Sequence, residues 1–157
     1  MKIAILTVIF VTGVTATAQA RLGETTDQLT ARYGDALSEI DQKGEGTHLP
    51  LTRLMFQKGG FQINVTVLNG VSVEEIYKKL NGEAFTDEEE RTLLADNSEG
   101  GEWAAPQPVN GAKTWAKDDG SMAALADGKV LKITSKDLIA QQTAVKNTEA
   151  QPSLEGF

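Results

Sequence analysis

The stretch that decides the fold is Phe61-Gln-Ile-Asn-Val-Thr-Val-Leu68, set between Gly59-Gly60 and Asn69-Gly70. Phe61, Ile63, Val65 and Val67 fall on one side and Gln62, Asn64 and Thr66 on the other, the period-two pattern of a half-buried strand. Asn69-Gly70 suits a type I′ hairpin turn, because both central positions of that turn take positive φ. Leu51 to Lys58 precedes the glycine pair as a first strand, and Val71 to Lys79 returns as a third.

Upstream, Arg21 to Gly34 reads RLGETTDQLTARYG. Thr25 and Thr26 are N-cap candidates, Gln28 stands three residues after Thr25, Leu29 and Tyr33 lie one turn apart, and Gly34 sits where a helix would stop. The spacing predicts a helix over 26–33. Asp35 to Pro50 carries Gly44, Gly46 and Pro50 without a sustained period, so it reads as a surface loop with room for one turn near Ala36 to Ile40. His48 lies in it.

Downstream, Thr86-Asp-Glu-Glu89 forms a capping box whose acids meet the positive end of the helix dipole, and the helix continues through Arg91 to Ala95 before the stop at Asn97 to Gly101. Trp103 to Asn110, with Pro106 and Pro108, reads as an extended connector. Strands follow at Ala112 to Lys117, Ser121 to Leu125 and Val130 to Thr134, with turns at Asp118-Asp119-Gly120 and Asp127-Gly128. Lys136 to Lys146 can form a short helix, and 147–157 reads as a flexible tail.

The punctuation recurs. Thr26 and Thr86, Gly60 and Gly120, and Gly70 and Gly128 stand about 60 residues apart in the same order. In that register Met55 corresponds to Trp115, and Phe61, Ile63 and Val65 to Ser121, Ala123 and Leu125. The expectation is one α+β domain over 21–146 with repeat-like halves 21–80 and 81–135. Each half is a helix plus antiparallel hairpin strands, about αβββ, and the two share one sheet with helices on one face.

Residues 1–20 read as a signal peptide. Lys2 gives the positive start, Ile3 to Val14 the apolar stretch, and Ala18-Gln19-Ala20 the cleavage motif, with cleavage between Ala20 and Arg21. The expected location is periplasmic or extracellular. The apolar run falls short of the about 20 residues that span a bilayer, so membrane insertion is not expected.

Charge and composition narrow the chemistry. With 15 Lys plus Arg against 22 Asp plus Glu the chain carries −7, and −8 once Lys2 is removed. Its cations stand singly apart from Lys78-Lys79, which argues against nucleic acid. The chain has no Cys and one His, so thiol catalysis, Cys-ligated metal and the usual zinc patterns are excluded. Asp96 to Gln107 fails the EF-hand spacing.

The acid pairs have local explanations. Asp87 to Glu90 cap a helix, Glu74 and Glu75 point to opposite faces of a strand, and Asp118-Asp119 suit a tight turn. His48 has no nucleophile motif beside it. No catalytic residue, metal or cofactor is therefore assigned. Trp103 and Trp115 are the candidate binding residues, since Trp is enriched where proteins meet; the competing reading is that both fill the core.

Gly23, Thr26, Leu29, Tyr33 and Gly34, followed by hairpin strands and a second such unit, resemble the SmpA/BamE type of small bacterial envelope domain. The same topology is similar to the tandem α/β units of the β-lactamase inhibitor protein fold, and the run Trp115 to Gly120 resembles uncharacterised exported bacterial proteins. BamE-type proteins are lipoproteins anchored through an N-terminal Cys, which this chain lacks. The resemblance implies protein binding through a sheet face or loops, without a cofactor. The function expected is a non-catalytic binding or inhibitor-like module whose partner is another protein or an envelope component. The alternatives are a carboxylate-based hydrolase of an extracellular polymer and a structural envelope-assembly domain.

Overall fold

A computed structural model describes residues 22–43, 49–98 and 101–149. The expected signal segment with its Ala20/Arg21 junction, His48, and 150–157 of the expected tail lie outside them.

The chain runs α1 (Thr26–Tyr33), β1 (Ser38–Lys43), β2 (Pro50–Lys58), β3 (Phe61–Leu68), β4 (Val71–Lys79), α2 (Asp87–Asp96), β5 (Gln107–Val109), β6 (Ala112–Ala116), β7 (Met122–Ala126), β8 (Val130–Thr134) and α3 (Lys136–Glu149). It is an α+β fold with one eight-stranded antiparallel sheet in the order β1-β2-β3-β4-β8-β7-β6-β5. Each half is a helix followed by a four-stranded meander, and the two meanders join where β4 pairs with β8, from Glu74 opposite Thr134 to Lys78 opposite Val130.

The local signals explain the elements. α1 and α2 each begin with a complete capping box, Thr25 with Gln28 and Thr86 with Glu89, which satisfies amide groups that a helix start otherwise leaves open. Four hairpins turn on left-handed pairs: Gly59-Gly60 (φ 58° and 85°), Asn69-Gly70 (53° and 82°), Asn110-Gly111 (49° and 81°) and Asp127-Gly128 (51° and 65°). Asx residues and glycine tolerate that conformation best.

Three expectations need correction. The stretch 35–50 contains β1, and the connector 103–110 contains β5, so each half is αββββ rather than αβββ. Both added strands are at the sheet edges. SEIDQK has no apolar alternation because an edge strand is held by backbone hydrogen bonds to one neighbour, and its Ile40 remains 56% exposed. The helix expected to end at Lys146 continues to Glu149, into the segment read as tail. Finally, the 60-residue register pairs Met55 with Trp115, yet Trp115 is core while Met55 is half-exposed on the other face. The residue that matches Trp115 in burial is Phe56, which lies opposite Ile63 as Trp115 lies opposite Ala123.

Burial divides by strand alternation. Leu29 and Tyr33 of α1, Leu94 of α2, and Leu54, Phe56, Ile63, Val65, Tyr77, Trp115, Leu131 and Ile133 of the sheet form the main core. Leu51, Leu68 and Val73 join Leu138 of α3 in a separate cluster. Leu51 and Leu54 are three residues apart on one strand and so project to opposite sides. The buried contact of α3 is therefore not on the face of α1 and α2.

One irregularity sets which residues of β4 point inward. Between Thr66/Val67 the register shifts by one, so that Val67 opposes Ser72 but Thr66 opposes Glu74, leaving Val73 as the extra residue. An unbroken two-residue hairpin would place Glu74 and Ile76 opposite Val65 and Ile63 in the core. With the bulge those places go to Glu75 and Tyr77. The bulge is tied down on its far side, where the Ser135 amide donates to the Val73 carbonyl at 2.9 Å at the start of α3.

Candidate functional site

Three features stand out: a buried acid, a cleft holding both tryptophans, and a sheet face that the described residues leave uncovered beyond Leu138.

The acid is Glu75, fully buried beneath α1 and α2. Tyr77 Oη donates to its Oε2, Tyr33 Oη donates to the same oxygen at 3.5 Å, and the two phenols lie 3.3 Å apart. Burial pushes the Glu75 carboxyl up, against the opposing pull of Tyr77, Arg32, Tyr33 and Asn97. Burial also pushes up both tyrosines. Glu75 Oε1 and the nearby Asn97 Oδ1 are both buried acceptors without a donor. A proton on Oε1 would remove the buried charge while Oε2 still accepts from the tyrosines. The Asn97 amide donates to the Leu93 carbonyl at 3.1 Å, so the cluster links the end of α2, the end of α1 and the middle of β4. Arg32, stacked over Tyr33 at 5.7 Å, pairs with Glu24. This acid is closed off from solvent, and the groups acting on it are not carboxylates. As a sealed group it joins the end of α1 to the middle of β4; the sequence places Glu74 and Glu75 on opposite faces but carries no signal for which of them is inward.

The two tryptophans come together. Trp115 is 6% exposed and Trp103 packs against the same core while remaining half-buried. Trp103 Nε1 donates to the Leu94 carbonyl at 2.7 Å, tethering the connector to the C-terminal end of α2. Lys117 Nζ stands 5.8 Å from the Trp103 ring, and Lys113 Nζ stands 5.2 Å from the Trp115 ring while pairing with the buried Glu90. Both rings line a cleft of about 470 Å³ between α2 and residues 101–106, with Arg91, Leu94 and Pro106. The core reading holds for Trp115, while Trp103 keeps an open edge.

The remaining surface is the side of the sheet away from α1 and α2. Near Leu138 it is closed by Leu51, Leu68 and Val73. Beyond that, two cross-strand rows stay accessible. One runs Met55, Asn64, Ile76, Lys132, Ala124 and Thr114, and the other Gln57, Gln62, Lys78, Val130 and Ala126. Every one of these residues is half-buried or exposed, whereas their strand neighbours Phe56, Ile63, Val65, Tyr77, Leu131 and Ile133 are sealed. Sequence alternation exposed Gln62 and Asn64, but Ile76 reaches this face only through the bulge.

Among the described residues no cluster of three or more His, Cys, Asp or Glu could hold a metal ion, and no helix is long and apolar enough to cross a membrane. No family model and no curated protein sequence matches the chain, including any of the SmpA/BamE or β-lactamase inhibitor type. Among solved structures it is similar to a cysteine-rich secretory protein from Staphylococcus aureus, with 13% identity and a TM-score of 0.40, covering 76% of this chain and 46% of that one. At that score the likeness bears on neither fold nor function.

Two outcomes follow from these contacts. A buried acid whose pKa is raised over its unfolded value holds its proton in the native state after the unfolded chain has lost it, so stability falls as pH rises from about 4.3 through the native pKa. Glu75→Gln keeps an acceptor for the tyrosines and removes the titrating group. Denaturation across pH 4 to 9 is expected to show a shallower decline for E75Q than for the wild type; equal slopes would place the proton elsewhere. For the tryptophans, urea denaturation is expected to show a loss of about 3–5 kcal/mol for Trp115→Ala and a smaller one, about 1–2 kcal/mol, for Trp103→Ala.

Proposed function

We propose that this protein is an exported, non-catalytic binding or inhibitor-like module of the bacterial envelope or extracellular space, and that it engages another protein through the uncovered face of its sheet. The observation that carries the reading is that face: two rows crossing the sheet, accessible in both halves and mixing Met55 and Ile76 with amides and cations. An antiparallel sheet commonly leaves one face to solvent, usually with polar side chains. Here flexible and branched apolar side chains interrupt the polar ones, the mixture found at protein interfaces. The A-x-A segment ending at Ala20 supports export, and the tandem topology supports the resemblance to envelope and inhibitor-like modules.

The hydrolase reading would need two acids facing one another across an open cleft. Of the two acids that burial pushes up, Glu75 is enclosed by tyrosines and Asp96 feels Arg32 rather than a second carboxylate. The assembly-domain reading would need a large apolar patch, and the exposed Leu37, Ile40, Leu80, Val109 and Met122 are spread over different elements.

The test compares proteins retained from periplasmic and culture-supernatant fractions by the immobilised wild type and by Met55→Asp/Ile76→Asp. Both side chains lie outside the main core, so the melting temperature should hold. A partner retained by the wild type and lost in the variant is expected. Identical retention by the two, or none by either, would count against the reading.

A further inference from the structure

We infer that the partner surface seated on the uncovered sheet face is an acidic stretch of polypeptide. The inference rests on the binding-module reading above and specifies the chemistry of the partner.

The chain as a whole is acidic, with a net charge of −7, yet this face has the opposite sign. Among the described strand residues, Arg53, Lys78 and Lys132 project from it and are exposed, against a single acid, Glu74. Glu74 is already engaged, accepting from Thr66 Oγ1 at 3.3 Å and lying 3.8 Å from Lys132 Nζ. Arg53 and Lys78 make no ion pair among the described residues. The acids of the chain concentrate elsewhere, as in the first turn of α2 with Asp87, Glu88, Glu89 and Glu90, on the other side of the sheet. Charge is therefore divided across the two layers of the molecule.

The placement of the cations also has a spacing. Lys78 pairs with Val130, two residues from Lys132 on the neighbouring strand, so the two ammonium groups are diagonal neighbours on one face. Such positions are about 7–8 Å apart. Like charges at that separation repel, and a partner bringing two carboxylates at similar spacing relieves the repulsion while desolvating little. Gln57, Gln62 and Asn64 lie beside them and offer donors and acceptors to a polypeptide backbone. The apolar floor between them, Met55 and Ile76, suits side-chain methylenes.

The alternatives fit less well. Single-stranded nucleic acid is held by aromatic platforms as well as cations, and no described aromatic residue projects from these rows, since Phe56, Tyr77 and Trp115 face the core. A second copy would set cations against cations.

The probe is poly-L-glutamate, with poly-L-lysine and heparin as controls, added to the isotopically labelled protein at low salt. Poly-L-glutamate is expected to shift the amide resonances of Gln62, Asn64, Ile76 and Lys132. Binding should weaken at least about tenfold when salt rises from 50 to 300 mM, because the contacts are exposed charges. It should be lost in Lys78→Gln/Lys132→Gln at an unchanged melting temperature. Absence of poly-L-glutamate binding at 50 mM salt, equal binding by the double variant, a preference for poly-L-lysine, or binding of heparin alone would overturn the inference. Should Met55→Asp/Ile76→Asp abolish capture of an envelope protein while Lys78→Gln/Lys132→Gln and salt leave it intact, the binding-module reading stands and the acidic partner falls.

Discussion

The structure depends on one extra residue. Val73 breaks the register between β3 and β4, and from that point to the end of β4 every side chain lies on the face opposite to the one an unbroken hairpin would give it. Tyr77 and Glu75 go to the core; Ile76 and Lys78 go to solvent. Because β4 is also the strand that pairs with β8, the choice is passed across the centre of the sheet. Tyr77 meets Leu131 and Glu75 meets Ile133 on the buried side, while Ile76 meets Lys132 on the open side.

That choice has a cost and an answer to it. Burying a carboxyl without partners is expensive, and Glu75 is accommodated by two phenols and Asn97, with the proton favoured by burial. The cluster draws on α1, β4 and the C-cap of α2, so the same interactions that satisfy the acid hold the first-half helix and the second-half helix to one strand. The uncovered face is the other side of this arrangement: with both helices held to the core side and Leu138 of α3 closing one end, the rows through Met55 and Lys78 remain accessible.

Much of this was legible in the residues. Ile63, Val65 and Val67 of β3 and Leu131 and Ile133 of β8 face the main core and therefore alternate; α1 and α2 start with complete capping boxes; and four hairpin turns fall on Gly-Gly, Asn-Gly and Asp-Gly pairs that accept positive φ. What was not legible shares a cause, namely that periodicity reports burial alone. β1 and β5 are edge strands, with Glu39, Ile40 and Asp41 and all of β5 exposed, so SEIDQK and QPV show no period. The bulge leaves no mark in the pattern VSVEEIYKK, and without it neither the burial of Glu75 nor the exposure of Ile76 can be read. Of the two tryptophans, residue type alone could not assign Trp115 to the core and Trp103 to the edge of a cleft; that difference comes from β6 facing the core and from the Leu94 carbonyl that anchors the Trp103 ring.

The register of β4 can be tested directly by cross-strand proton contacts in the folded protein. Nuclear Overhauser effects are predicted to link Val65 with Glu75 and Ile63 with Tyr77, and on the neighbouring strand Ile76 with Lys132. Contacts linking Val65 with Glu74 and Ile63 with Ile76 would mean that Val73 is not bulged, that Glu75 faces solvent, and that the two faces of the sheet are other than described.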